Sequence, residues 1–401
     1  MRSRIFSTVA QQVICRRVTL AFSLAVSLTF GSVPLLSAQM KLLSQDTGWL
    51  VNVDRLLWTT DDGAHWKDIT PSGPTIPKDS KLGSVFFLDT SEGWATLSYP
   101  EPIAEPTPQA LANQKTLYTI AHTENAGETW DERPLTYPPL PEAAQDTFGG
   151  PASLYFLDSI HGWLDVTFQS MFDPGRLLAT NDGGQTWNWV SSPIHSGSIF
   201  FHSLEDGWII SNYGARELYV THDGAKSWQE SRLMPPAEIG TSIYPMFMEI
   251  PMFKDSRDGY LAVHYSGPEF SSPKLVVYAT ESGGKSWDPI KVLPGSGSTP
   301  VALADSVVIL PSGAGKGKPS TESVPLTTPA QPSQPVSSES RDAILSFSFL
   351  NGSRGWAFKI DGLYGTDDGG ATWMKISPPP PMPPGRQIII RPQSATGAMR
   401  P

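Results

Sequence analysis

The sequence predicts an all-β fold, a β-propeller, and three observations carry that expectation. A box of the form Thr-x-Asp-Gly-Gly-x-Thr-Trp recurs six times with small variations, and a Gly-aromatic pair precedes each copy. The composition is rich in turn formers and aromatics, with 35 Gly, 38 Pro and 13 Trp, while only 17% of residues are charged. Such a chain favours many short strands joined by tight turns. Self-similarity at this spacing marks a repeat architecture in which stacked units share one core.

The boxes run Thr59 to Trp66, Thr123 to Trp130, Thr180 to Trp187, Thr221 to Trp228, Thr280 to Trp287 and Thr366 to Trp373. The pairs ahead of them are Gly48-Trp49, Gly93-Trp94, Gly162-Trp163, Gly207-Trp208, Gly259-Tyr260 and Gly355-Trp356. An apolar stretch such as Ser84 to Leu88 forms a first strand, and a short polar turn leads to a second strand opening at Trp94. A connection of variable length leads to a third strand, Thr116 to Ala121 in this repeat, and the box then turns the chain into a fourth. The third box residue accepts backbone N–H groups, Gly supplies positive φ, and the Trp buries a large flat surface. The structural positions are therefore Asp61 and Trp66, Asn125 and Trp130, Asp182 and Trp187, Asp223 and Trp228, Ser282 and Trp287, and Asp368 and Trp373. Asn125 and Ser282 depart from Asp, yet both still cap a turn.

Four-stranded antiparallel units repeated around a closed ring make a propeller. Six repeats predict six blades, and Val301 to Leu310 leaves room for a seventh, degenerate blade without a box. The propeller is expected over residues 39–377, interrupted by a flexible Ser/Pro/Gly-rich insertion at about 311–341 and followed by a Pro-rich tail at 378–401.

These boxes are similar to the Asp boxes, or BNR repeats, of sialidases, sortilin-type receptors and the photosystem II stability/assembly factor family. The pairing of Gly-Trp with a following box most resembles that last family, over residues 40 to about 377. The resemblance implies a propeller of about seven blades that binds a protein partner through an arginine-rich surface, and in a photosynthetic source a part in photosystem II assembly. It says less about activity, since one fold hosts unrelated functions.

The N-terminus reads differently from the rest. Arg2, Arg4, Arg16 and Arg17 precede the apolar run Val18 to Leu36, which ends in small residues. This is the pattern of a signal peptide over residues 1–38, cleaved near Ala38, and places the protein in the periplasm or outside the cell. The sole cysteine, Cys15, lies within it. Removing the segment leaves no thiol and changes the net charge from −10 to −14, which argues against nucleic acid as a partner. Beyond residue 40 no apolar run is long enough to span a bilayer. A monomer is expected.

Function is placed on the face opposite the boxes. The box turns and the first-to-second strand turns are uniform, whereas the loops at the other end differ in length, and binding usually resides where loops vary on a rigid scaffold. A cation stands near the start of the third strand in five repeats: Arg55, Lys115, Arg176, Arg216 and Lys274. On an acidic protein these form a local patch for acidic segments, partly offset by Glu101, Glu105, Asp173 and Glu217. Loop aromatics and Met (Tyr99, Phe168, Met171, Phe172, Tyr213, Tyr265, Phe270) suit an interface.

The enzymatic alternative is a sialidase-like glycosidase. No Arg-Ile-Pro or Arg-Leu-Pro occurs, Arg133-Pro134 and Arg391-Pro392 being poor substitutes, and no spacing selects a carboxylate pair from candidates such as Asp165 and Glu249. The histidines show no metal-ligand spacing and no phosphate-binding loop appears, so no metal and no cofactor are expected. The reading is a non-enzymatic scaffold for a protein or peptide partner.

Overall fold

In the computed structural model the described residues are 39–52, 54–77, 79–136, 147–169, 175–191, 195–211, 217–240, 243–267, 273–294, 302–304, 307–311, 321–326, 344–359 and 361–377. The expected signal peptide and the Pro-rich tail lie outside them. The described residues form seven antiparallel sheets arranged as the blades of a β-propeller. Blade 1 comprises Met40–Leu42, Gly48–Asn52, Arg55–Thr59 and Lys67–Asp68, and blade 2 comprises Lys81–Phe87, Gly93–Pro100, Thr116–Thr123 and Asp131–Pro134. Blade 3 is Thr147–Phe156, Gly162–Gln169, Gly175–Thr180 and Asn188–Ser191; blade 4 is Gly197–Phe201, Gly207–Ser211, Leu218–Thr221 and Gln229–Glu230. In blade 5 the first strand is broken into Tyr244–Met248 and Met252–Phe253, followed by Gly259–Ser266, Lys274–Thr280 and Asp288–Pro294. Blade 7 is Ile344–Phe349, Gly355–Lys359, Gly362–Thr366 and Met374–Ser377.

The seventh sheet lies between them. Ala302–Ala304, Val307–Pro311 and Thr321–Pro325 pair in order as a box-less blade 6. This answers the question left open by Val301 to Leu310. It also corrects the expected insertion at 311–341, because Thr321–Pro325 within it is a strand and Leu326 is buried against blade 5. Pairing with Val307–Pro311 and an apolar neighbour make a strand here where the turn-rich composition suggests a linker.

Each box has one geometry. In blade 3 Thr180 Oγ1 donates to Asp182 Oδ1 (2.7 Å) and accepts from the Gly184 N–H (2.9 Å), while the Thr186 N–H donates to the same carboxylate (2.9 Å). The pattern repeats where the acceptor is Asn125, with 3.0, 2.9 and 2.9 Å, and where it is Ser282, with 3.2, 3.0 and 3.0 Å. Two successive residues adopt positive φ, as in Gly183 (72°) and Gly184 (89°), which is why the box favours Gly-Gly. The hydrogen bonds hold Asp61 and Asp223 down at about 2.

The box tryptophans pack edge-on to the phenylalanine ending their own first strand: Trp130 on Phe87, Trp187 on Phe156, Trp228 on Phe201, Trp287 on Phe253 and Trp373 on Phe349, at 65–84° between planes. The tryptophan at the second position of the second strand, present in five blades, instead reaches the next blade. Trp94 stacks on Phe156 (3.7 Å, 7°) and donates to Gly183 O of the blade 3 box (3.0 Å). Trp163 stacks on Phe201 (3.7 Å, 3°) in one cluster with Ala225 of the blade 4 box, and Trp208 lies against Phe253 and Gly284 of blade 5. Trp356 of blade 7 donates to Asp62 of blade 1 (2.7 Å), and Arg354 there bonds Asp62 and Gln45 O, so the ring closes through side chains. Serines add ties between first strands: Leu42 N to Ser348 Oγ (2.8 Å), Leu154 N to Ser84 Oγ (3.3 Å) and Ile199 N to Ser153 Oγ (3.2 Å).

Candidate functional site

The antiparallel order places every box at one end of its blade and the second-to-third strand connection at the other. Arg55 and Lys274 open the third strands of blades 1 and 5, Arg176 is the second residue of that strand in blade 3, and Lys115 immediately precedes it in blade 2. These four therefore occupy equivalent places on the loop face. Arg216 lies outside the described residues, as do Met171, Phe172, Tyr213, Phe270 and Asp173.

Their surroundings differ. Arg55 donates Nε to Asp68 Oδ2 (2.8 Å) with Nη2 at 2.7 Å, so a carboxylate of the fourth strand already holds it. Burial pushes Asp68 up, but hydrogen bonds from Thr70 and Arg55 outweigh it and leave the carboxyl below its usual range. An exposed pair of this kind is worth about 0–1 kcal/mol, so it orients Arg55 more than it stabilises the blade. Arg176 Nη1 donates to Gly175 O (3.0 Å). Lys115 is exposed, and its carbonyl accepts the Glu101 N–H (2.8 Å), pinning the base of the blade 2 loop. Lys274 is half-buried opposite Tyr265 and Pro294. Of the acids weighed against these cations, Glu217 accepts the Tyr219 hydroxyl at 2.5 Å, and burial and that carboxylate both raise the phenol.

The blade 2 loop carries a feature that the strand pattern misses. Pro108–Ala112 is a single helical turn, capped by Thr107 Oγ1 accepting the Ala110 N–H (3.1 Å), with Leu111 52% exposed. Thr-Pro at its start is the available signal, an N-cap followed by a Pro at the first helical position.

Other residues prominent in the sequence have structural partners. Tyr265 was expected among the loop aromatics, but it is 2% exposed and its hydroxyl shares a 2.7 Å hydrogen bond with Tyr278, so strand alternation turns it into the core. Tyr99 is half-buried, and burial and Glu132 raise its phenol. Asp165 is fully buried, and its Oδ2 accepts the Gly197 N–H (2.8 Å), tying blade 3 to blade 4. Glu249 Oε1 stands 4.0 Å from Nε2 of His264, a fully buried imidazole with neither ring nitrogen hydrogen-bonded among the described residues; burial lowers it to about 4. Arg133 donates to Gly183 O (2.6 Å) and contacts His122 Nδ1 (3.1 Å), linking blades 2 and 3.

Among the described residues no group of three or more His, Cys, Asp or Glu side chains gathers as a metal site, and no helix is long and apolar enough to cross a membrane. The loop face carries Arg55, Lys115, Arg176 and Lys274 at equivalent positions of their blades.

No protein-family model matches the chain, and none of the curated proteins does. Solved structures do. The structure of YCF48 bound to D1 peptide is 17% identical, with 83% of this chain and 92% of that one covered and a TM-score of 0.48. YCF48 from Cyanidioschyzon merolae is 15% identical, with 86% of each chain covered and a TM-score of 0.39. The GH74 xyloglucanase from Xanthomonas campestris is 15% identical, with 84% of this chain and 61% of that one covered and a TM-score of 0.33.

Proposed function

We propose that the chain is an exported, non-enzymatic propeller scaffold that binds a protein or peptide partner on its loop face, in the manner of the photosystem II assembly factors its repeats resemble. One observation carries the reading. The box ends of six blades share a single hydrogen-bonded geometry, whereas the opposite ends carry loops of unequal length and a cation at the start of the third strand in four described blades. Arg55, Lys115, Arg176, Arg216 and Lys274 are the proposed contacts, and they would attract an acidic segment despite a net charge of −10 overall. The export signal over residues 1–38 belongs to the same proposal.

The test is a charge reversal. Arg55→Glu, Arg176→Glu and Arg216→Glu together are expected to abolish recovery of one identified partner from the exported fraction while leaving the melting temperature unchanged. Recovery of the same partner in undiminished amount would rule the loop-face cations out.

A further inference from the structure

The joints between blades are closed in different ways at the outer rim. Trp130 Nε1 donates across the joint of blades 1 and 2 to Ile69 O (2.8 Å), and Trp228 Nε1 donates across the joint of blades 3 and 4 to Ser191 Oγ (3.0 Å). Both acceptors lie three or four residues after the box tryptophan of the preceding blade. At the joint of blades 4 and 5 the corresponding residues are Ser231 and Arg232, yet the buried Nε1 of Trp287 has no hydrogen-bond partner among the described residues. A groove of about 470 Å³ occupies this joint, and Ser231, Arg232, Lys285 and Trp287 line it.

Its charges do not balance. Glu230 on the groove wall is 3.4 Å from Arg232 Nε, and His222 on the same wall is held by Asp206 at 2.7 Å. Glu230 is the one carboxylate among the lining residues, against the two cations Arg232 and Lys285, and exposed Lys285 has no ion-pair partner among the described residues. The groove thus offers a surplus positive charge, a guanidinium and hydroxyl donors on a chain that is acidic overall.

We propose that this groove binds an acidic peptide segment, seating a side-chain carboxylate against Lys285 and Arg232 beside Trp287. A peptide fits better than a saccharide for two reasons. Gln229–Glu230 is the outermost strand of blade 4 and runs along the groove with an open edge, which suits an extended chain. Trp287 is only 7% exposed and stands edge-on to Phe253, so it presents no flat platform on which a sugar ring would stack. The volume suits a few side chains rather than a folded domain. The proposal stands on different residues from the loop-face cations.

Titration of the purified full chain with a fluorescein-labelled peptide of glutamates, read by anisotropy, tests it. Saturable binding is expected, weakened more than about tenfold by Lys285→Glu with Arg232→Glu, which reverses both cations of the groove. The loop-face triple reversal is expected to leave this affinity within about twofold, which separates failure of this site from failure of the loop-face reading. Absence of saturable binding, an unchanged affinity in the groove double variant with an unchanged melting temperature, loss through the loop-face variant alone, or stronger displacement by an oligogalacturonate than by unlabelled peptide would each overturn it.

Discussion

At the joint between blades 2 and 3, Trp94 is fully buried, stacked 3.7 Å from Phe156, and hydrogen-bonded to the box of blade 3, with Arg133 bonded to the same carbonyl. At the joint between blades 5 and 6, Tyr260 stands at the equivalent position and faces a blade without a box; its hydroxyl accepts from Lys254 of its own blade (2.7 Å) instead. The difference shows what the box is for. It is the receptacle for the preceding blade's indole, and the one pair that lacks an indole precedes the one blade that lacks a receptacle. Energy that five other boxes place between blades is supplied at this joint by aliphatic packing of Leu275, Leu293 and Leu326.

Trp94→Ala should break the stronger joint, at about 3–5 kcal/mol for a large buried aromatic. Tyr260→Phe should cost below about 1 kcal/mol, because no partner blade uses the hydroxyl. Equilibrium denaturation of the two variants checks the contrast, and similar losses would contradict the receptacle role. The next effect concerns His264, which shares with Tyr260 and Ala262 the face turned toward blade 6. Its pKa of about 4 lies below the ordinary 6.5 of an unfolded chain, so the unfolded state binds more protons between those values. Stability is therefore fully present above about pH 6.5 and falls as the pH drops toward 4. His264→Leu should abolish that acid-sensitive step in melting temperatures recorded across this window.

The smallest effect lies in a box. Ser282→Asp should stabilise blade 5 by roughly 0.5–1 kcal/mol by restoring a carboxylate acceptor for Thr280 and Ser286. That gain should disappear on acidification. Asp61 and Asp223 sit at about 2 against an unfolded value near 3.9, so the stability such carboxylates contribute is present above about pH 4 and lost as pH falls toward 2. Thermal melts at pH 7 and below pH 3 check both parts.

The boxes were legible because each is local: the Thr, its acceptor and the two positive-φ residues lie within eight positions, and turn chemistry alone specifies them. The destination of Trp94 was not legible. Gly183 lies 89 residues away, and no periodicity within a repeat tells an indole packed on its own blade from one packed on the next. Blade 6 was half legible, in the apolar run now seen as Ala302–Ala304 and Val307–Pro311, while Thr321–Pro325 is a strand through its neighbours and not its composition. On the loop face, strand spacing located Arg55, Arg176 and Lys274 within the first two residues of their third strands. Tyr265 misled because an aromatic near a strand end points inward or outward by parity, and its parity faces Tyr278.

Blades 1 and 7 each take all their strands from one continuous stretch, and among the described residues side chains such as Arg354, Trp356 and Ser348 fasten one to the other. The gap between Ser377 and Met40 is thus equivalent to any other crossing between blades. A gene re-cut so that Ser377 runs through a linker into Met40, and opened instead ahead of blade 7, would specify the same wheel with its spokes read out in another order.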